Sequence, residues 1–169
     1  SVLIKMDREN RILSMANKGV PFSREGYRSL TTSNLSSKID KAQYIGNKGL
    51  GFRSVLNWSS EIAIYSNGFK VSYSDMQRES MFLNMFDQKI IAEIRNKYKY
   101  PETISPIPML AVPEVIETGM YNEYATVIEL RFKEDALQKI IDQINAITPE
   151  TILFLHNIKS ITFERFEDK

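Results

Sequence analysis

The chain has 169 residues, 43% of them hydrophobic and 25% charged, which is enough for one domain with a substantial core. Its 22 lysines and arginines are matched by 21 aspartates and glutamates, so the charge balance gives no indication of a nucleic-acid partner. The absence of cysteine and the presence of one histidine, His156, exclude disulfides, thiolate metal sites and multi-histidine metal sites.

The first segments of the chain predict a β-hairpin followed by a short helix. Residues 2–5 and 11–16 are apolar stretches on either side of a polar turn at 7–10 (DREN), which is the pattern of two paired strands. Ser23 is a good N-cap, and it predicts a helix that ends near Leu30.

Residues 45–54 read IGNKGLGFRS and place three of the chain's seven glycines within six positions. A hydroxyl-rich stretch, 31–38 (TTSNLSSK), predicts a loop before them, and a helix over 49–57 begins inside them. Lys48 stands before Gly49 and the spacing is G-x-x-G-x-G, so neither the P-loop nor the dinucleotide fingerprint fits. The glycines, the lysine and the helix N-terminus together could cradle a polyphosphate. A tight turn that lets helix and sheet pack closely explains the same residues, and the loop alone leaves both interpretations open.

The rest of the chain predicts further strands and helices. The Asn-Gly pair at 67–68, between apolar runs at 61–65 and 69–74, indicates a second hairpin. Isoleucines at helical spacing indicate a helix over 87–97. Four of the six prolines lie within 100–113, which predicts an irregular connection. In chain order, the remaining predicted elements are a strand over 124–133, a helix over 134–146, a short helix from Thr148 to about His156, and a strand over 158–166.

These elements predict an α+β fold. The chain has more predicted strands than a single hairpin unit contains. Helices lie between the strands, but strands and helices do not alternate strictly as they do in βαβ folds. This pattern is typical of a two-layer sandwich, with a mostly antiparallel mixed sheet and helices on one face, formed as a single domain over 1–169. The apolar run at 81–86 (MFLNMF) fits either an insert packed on the sheet or a partner-binding patch.

Three segments together resemble the GHKL ATPases, the superfamily of gyrase B, the heat-shock chaperone ATPases, histidine kinases and MutL. The segment 45–56 (IGNKGLGFRSVL) resembles their glycine box, and 14–38 (SMANKGVPFSREGYRSLTTSNLSSK) resembles the segment that carries their D-x-G-x-G motif. The segment 125–140 (ATVIELRFKEDALQKI) resembles their late threonine-bearing strand. The form of the second segment, and the ending at 148–163, are most similar to the sacsin-like N-terminal ATP-binding branch. The resemblance spans roughly residues 3 to 165 and implies a Bergerat-type ATP-binding fold, truncated at the N-terminus.

The resemblance implies a role for each matching position. Asn17 stands where the family has an aspartate that accepts a hydrogen bond from the adenine amino group, and Gly19 gives the base room. The glycine box would wrap the α- and β-phosphates, the hydroxyl-rich stretch would belong to a mobile lid, and Thr126 would bond near the adenine or the phosphates. The implied ATP-binding residues are Asn17, Gly19, Thr32, Ser36, Ser37, Gly46, Asn47, Lys48, Gly49, Leu50, Gly51, Phe52 and Thr126.

Two departures from the family pattern change what is expected. Asn17 lacks the negative charge of an aspartate, which predicts roughly tenfold weaker binding of adenine. The family motif with the catalytic glutamate and the Mg²⁺-binding asparagine would lie upstream of Val2. The resemblance therefore implies ATP and Mg²⁺ as ligands, with the metal held upstream. It also implies no catalytic or metal-binding residue in this stretch, and a fragment without ATPase activity.

The resulting interpretation is the ATP-binding domain of a larger cytoplasmic ATPase. ATP would close the lid, and the change would pass to other domains of the full-length protein and to a homodimer partner. No membrane partner is expected, because no apolar run approaches the roughly 20 residues of a membrane span. The alternative is a non-catalytic interaction module that keeps the fold but not nucleotide hydrolysis.

Overall fold

A computed structural model describes residues 1–31, 50–102, 104–119, 123–153, 155 and 157–165. Its strands form one sheet of seven. In chain order, the strands are β1 (Val2–Asp7), β2 (Ile12–Asn17), β3 (Ser59–Ser66), β4 (Phe69–Ser74), β5 (Glu114–Glu117), β6 (Thr126–Phe132) and β7 (Ile161–Arg165). The helices are α1 (Arg24–Thr31), α2 (Leu50–Ser54), α3 (Asp75–Met85), α4 (Gln88–Tyr98), α5 (Leu137–Asn145) and α6 (Pro149–Leu153).

Both predicted hairpins are confirmed. β1 and β2 pair antiparallel, and at their turn the Asp7 carboxylate accepts hydrogen bonds from the backbone N–H and the side-chain amide of Asn10, at 2.9 and 2.7 Å. These two bonds lower the pKa of Asp7. β3 and β4 are joined by Asn67 and Gly68, whose φ angles of 54° and 79° are those of the type I′ turn that suits the twist of paired strands.

The strand order is β5-β4-β3-β6-β2-β1-β7. Strand β6 lies between β2 and β3 and runs antiparallel to both. The one parallel pair of the described sheet joins β1 to β7. The predicted mostly antiparallel mixed sheet is therefore confirmed.

One face of the sheet carries the main core. Alternate residues of the strands point to this face, among them Ile62 and Ile64 of β3, Tyr73 of β4, and Leu130 and Phe132 of β6. The helices and short 3₁₀ turns cover it from above, which confirms the two-layer arrangement. Their contributions include Leu30, Val55, Leu56, Met109, Leu110, Ala136 and Ile140.

Several boundaries differ from the predicted ones. Ser23 caps α1 as predicted, because its Oγ accepts the N–H of Gly26 at 3.0 Å, but the helix continues to Thr31. The predicted loop at 31–38 is therefore wrong at its first residue, and 32–38 lie outside the described residues, as does His156. The proline-rich connection contains a 3₁₀ turn, Met109–Ala111, that buries Met109 and Leu110 in the core.

The helix α3 and the strand β5 have no counterpart among the predicted elements. The run at 81–86 belongs to the end of α3, and Phe82 is its buried member. Helix α3 packs against α4 through Arg95, whose guanidinium pairs with Glu79 at 2.6 Å and stacks over the ring of Phe82. Arg95 also donates to the backbone carbonyl of Pro101, so it ties both helices to the segment that follows.

Candidate functional site

Three polar side chains form a row across the ends of three neighbouring strands. Asn17 ends β2, Thr126 begins β6 and Ser66 ends β3, and the register places Asn17 and Ser66 directly opposite Thr126 on its two sides. All three lie on the core-facing side of the sheet, since each is two residues beyond a core residue of the same strand. We call Asn17, Thr126 and Ser66 the polar row.

Asn17 is held in a defined orientation by the residue two positions on. Its Oδ1 accepts the backbone N–H of Gly19 at 3.1 Å, and this bond identifies the oxygen of the amide. A Cβ at Gly19 would come within 3.3 Å of that oxygen, so a glycine suits the close approach. Lys18 turns away to Glu123, at 3.1 Å, and lies over the ring of Tyr124.

Ser66 connects the row to the rest of the fold. Its Oγ accepts the backbone N–H of Phe22 at 2.9 Å, donates to the carbonyl oxygen of Ala125 at 2.8 Å, and lies 3.1 Å from Oγ1 of Thr126. Ser66 and Thr126 are both buried, at 7% and 2% exposure. No local sequence pattern marks Ser66 as a site residue, because it lies between the apolar run at 61–65 and the Asn-Gly pair at 67–68.

A cleft of about 660 Å³ opens beside Ser66, with walls from α1 and from β3, β4 and β5. The aromatic rings of Phe22, Tyr27, Phe69 and Tyr73 form much of its surface, and Arg24 and Arg28 of α1 supply positive charge. Burial raises the pKa of Tyr27 and, with a smaller contribution from Tyr27 itself, raises that of Tyr73 to about 12.

The structure brings together three of the predicted site residues, namely Asn17, Gly19 and Thr126. Phe52, a fourth predicted site residue, packs against the main core. Leu50 and Gly51 are the first two residues of α2. In the same helix, Arg53 donates from Nη2 to the carbonyl oxygen of Leu30 at 2.8 Å, and this hydrogen bond joins α2 to the end of α1. The other predicted residues, Thr32, Ser36, Ser37, Gly46, Asn47, Lys48 and Gly49, lie outside the described residues.

The described part of the chain supplies nitrogen and oxygen groups for a ligand but no metal-binding cluster. Within the described ranges, no group of three or more histidine, aspartate or glutamate side chains is arranged to hold a metal ion. The same ranges contain no helix long and apolar enough to cross a membrane. The described residues do not by themselves fit a Mg²⁺ ion.

Comparison with known proteins gives one similar protein and no family assignment. No family model matches the chain. The chain is 25% identical, over 161 residues, to the protein NO VEIN of Arabidopsis thaliana. This alignment covers 90% of the chain but only 5% of the plant protein, so the chain corresponds to a small part of that much longer protein.

Proposed function

We propose that this chain is the ATP-binding domain of a GHKL ATPase of the sacsin-like branch, in which nucleotide binding closes a lid and acts on other domains of a longer protein. The observation that carries the proposal is the polar row, in which the Asn17 oxygen is held by Gly19 and the residue Asn17 pairs with Thr126 in the register of the sheet. The α+β sheet with helices on one face supports it. The similarity to a small part of a much longer plant protein supports only the part of the proposal that places this domain in a longer protein.

Asn17 and Thr126 would recognise the adenine. One lone pair of Asn17 Oδ1 is taken by the N–H of Gly19, and the other is available for the exocyclic amino group of the base. In the proposed site the glycine box would bind the phosphates, because backbone N–H groups next to glycines can approach an anion closely. Mg²⁺ would neutralise phosphate charge, with ligands supplied upstream of Val2.

The test is a calorimetric titration with a non-hydrolysable ATP analogue and Mg²⁺. We expect the unmodified chain to bind, Asn17→Ala and Thr126→Val to weaken binding about five- to tenfold each, and Gly49→Val to abolish it. Ser14→Ala is the matched control, since Ser14 lies on β2 as Asn17 does but faces the opposite side of the sheet. This control should bind like the unmodified chain.

A lack of binding would require a second titration, on a chain extended upstream to include the motif that the family places there. Continued lack of binding would disprove the nucleotide proposal. Equal losses in Ser14→Ala and Asn17→Ala would also contradict it, because the loss would then not come from the polar row.

A non-catalytic interaction module is the second candidate, and the surface of α3 favours it. Met76 is 78% exposed, Met85 is 55% exposed, and Met81 and Leu83 are also exposed on this one helix. Adaptable methionine surfaces are common where partners bind. This candidate predicts that Met76→Ser and Met85→Ser together abolish a partner interaction of the full-length protein, and that Asn17→Ala leaves the interaction unchanged. A co-purification experiment with these variants decides between the two candidates.

A further inference from the structure

The outer side of β5 is a strand edge with which no other strand of the described sheet pairs. Strand β5 stands at the end of the strand order and pairs only with β4. All four of its residues are exposed, and two of them are apolar, Val115 at 60% and Ile116 at 44% exposure. Such an edge presents unpaired backbone N–H and C=O groups, so it can accept a further strand.

The hydrogen bonds between β4 and β5 show which backbone groups of β5 point outward. The N–H of Thr118 donates to the carbonyl oxygen of Gly68 at 2.8 Å, one step beyond the paired residues of the two strands. Hydrogen-bonded and non-hydrogen-bonded pairs alternate along an antiparallel ladder. Ile116, two residues before Thr118, therefore also bonds to β4. The N–H and C=O groups of Val115 and Glu117 consequently point away from the sheet.

The same two residues place their side chains on the core-facing side of the sheet. In the register, Val115 lies opposite the core residue Val71, and Glu117 lies opposite Phe69, two residues before Val71. Val115, Val71 and Phe69 line the cleft of about 660 Å³ beside α1. A strand added to β5 would place one side chain beside Val115, where it extends the apolar floor of the cleft. Its next side chain would lie beside Ile116 on the opposite side of the sheet.

The charges of β5 indicate what an added strand should carry. Glu114 and Glu117 stand at the two ends of β5, and within the described ranges neither forms an ion pair. Glu114 accepts hydrogen bonds from Gln77 and Ser72, which are neutral side chains. Opposite charges stabilise cross-strand pairs, and like charges directly opposite each other destabilise them. The edge therefore fits a segment with two adjacent apolar residues between basic ones.

We propose that the outer edge of β5 binds an extended segment of a protein partner, which joins the sheet as a further strand and carries two apolar residues between basic ones. A second copy of this chain is a poorer match. Two β5 strands paired around a two-fold axis would bring four glutamates, and no basic residue of β5, to one seam. The proposal does not depend on nucleotide binding at the polar row.

The test uses a fluorescent synthetic peptide in which two valines stand between two lysines, with a threonine at each end. Its binding to the full chain is measured by fluorescence anisotropy at low ionic strength, and we expect saturation. A matched peptide with glutamates in place of the lysines should bind at least fivefold more weakly, because attractive cross-strand pairs become repulsive ones. Glu117→Lys should weaken binding of the lysine peptide about fivefold for the same reason.

A methylated peptide separates strand addition from a general attraction of charges. Adjacent residues of a strand direct their N–H groups to opposite edges. Methylation of the backbone nitrogens of both valines therefore blocks pairing whichever edge of the peptide meets β5. We expect this peptide to lose binding although its charges are unchanged.

Two proline variants test the direction of the backbone groups in β5. In Val115→Pro the lost N–H points outward, so the urea midpoint of the domain should stay the same while peptide binding is lost. In Ile116→Pro the lost N–H bonds to β4, so the midpoint should fall. Val115→Ala, the matched control, keeps the N–H and should weaken binding less than about fivefold. An equal fall of the midpoint in both proline variants would overturn the inference.

The remaining outcomes also decide the matter. Lack of binding by the lysine peptide, or equal binding by the methylated one, overturns the inference. Tighter binding of the glutamate peptide would mean that Arg24 and Arg28 of the cleft set the charge of the partner, and it would overturn the inference as well. Sedimentation of the chain alone detects a second copy at this edge, and self-association that Val115→Pro removes would overturn the proposed partner. The nucleotide titrations are separate, so either proposal can fail without the other.

Discussion

At the scale of single residues, Asn17 departs from the GHKL pattern that the sequence resembles. Its oxygen is already held by the N–H of Gly19 at 3.1 Å, so the geometry that a carboxylate would need is present. What the amide lacks is charge. Hydrogen bonds to charged groups are worth about 1.5–3 kcal/mol, compared with about 1 kcal/mol for neutral ones.

The proposed function therefore predicts that Asn17→Asp strengthens ATP binding roughly tenfold, because the carboxylate accepts the same hydrogen bonds with a negative charge. Calorimetric titration measures the change. Ser14→Asp is the matched control, since it adds the same charge to the opposite face of the same strand. If both variants gain equally, the effect comes from overall charge and not from contact with the base.

The residues of the site differ in how far the sequence could identify them. Asn17, Gly19 and Thr126 belong to segments that resemble known motifs, and the structure brings them together. Ser66 belongs to no such segment, and its role depends on Thr126 and Phe22, which are 60 and 44 positions away. Hydrogen bonds between residues so far apart in the sequence depend on the order of the strands in the sheet, which local sequence patterns do not specify.

At the scale of elements, the confirmed predictions are those with strong local chemistry. The Asn67-Gly68 turn, the Ser23 cap and the periodic α4 each rest on a few neighbouring residues. Helix α3 was missed because its apolar residues do not follow one face. A usable signal was present all the same, since Ser74 caps α3 by accepting the N–H of Gln77 at 3.1 Å. Strand β5 has only four residues, all exposed at the sheet edge, and so lacks an alternating pattern.

Positive φ angles at the ends of elements give a paired prediction about stability. Gly68, with φ of 79°, and Lys99, with φ of 54° after α4, both adopt the left-handed conformation that glycine tolerates best. Gly68→Ala should destabilise the fold by about 1 kcal/mol, because the left-handed region costs other residues about 1–2 kcal/mol. An added methyl group meets nothing closer than 3.9 Å, so the cost is conformational.

Lys99→Gly serves as the matched control and should change stability in the opposite direction, by about 0.5–1 kcal/mol in favour of the fold. The backbone N–H groups of Lys99 and Tyr100 bond to the carbonyls of Asn96 and Arg95, an arrangement in which glycine is the usual residue. Urea denaturation of both variants measures the free energy of unfolding. A loss of stability in Lys99→Gly would contradict the argument.

At the scale of the whole molecule, the ionisation of a core residue links folding to pH. Tyr73 is 1% exposed, and burial first, then Tyr27, raises its pKa to about 12. In the unfolded chain a tyrosine ionises near pH 10. The stability that Tyr73 contributes as a neutral phenol is therefore complete below about pH 10 and is lost between about pH 10 and 12.

We predict that the unmodified protein loses about 1 kcal/mol of stability from this group between pH 9 and pH 11, and that Tyr73→Phe does not show that loss. Denaturant titrations at the two pH values measure it. Tyr98→Phe, at an exposed position, is the control and should behave like the unmodified protein. An equal decline in Tyr73→Phe would mean that other groups account for the alkaline loss.

The place of β6 in the sheet has a consequence for how the chain is made. The β1–β2 and β3–β4 hairpins can form as soon as each leaves the ribosome, because their strands are adjacent in sequence. The strand that joins them, Thr126–Phe132, is synthesised after both, and it pairs with β2 and β3 at once. Until then, the nascent chain carries two apolar hairpins whose strands β2 and β3 each have an unpaired edge, and such edges can pair with other chains. Synthesis of this domain therefore passes through a long vulnerable stage, during which protection by chaperones matters more than it does for the finished fold.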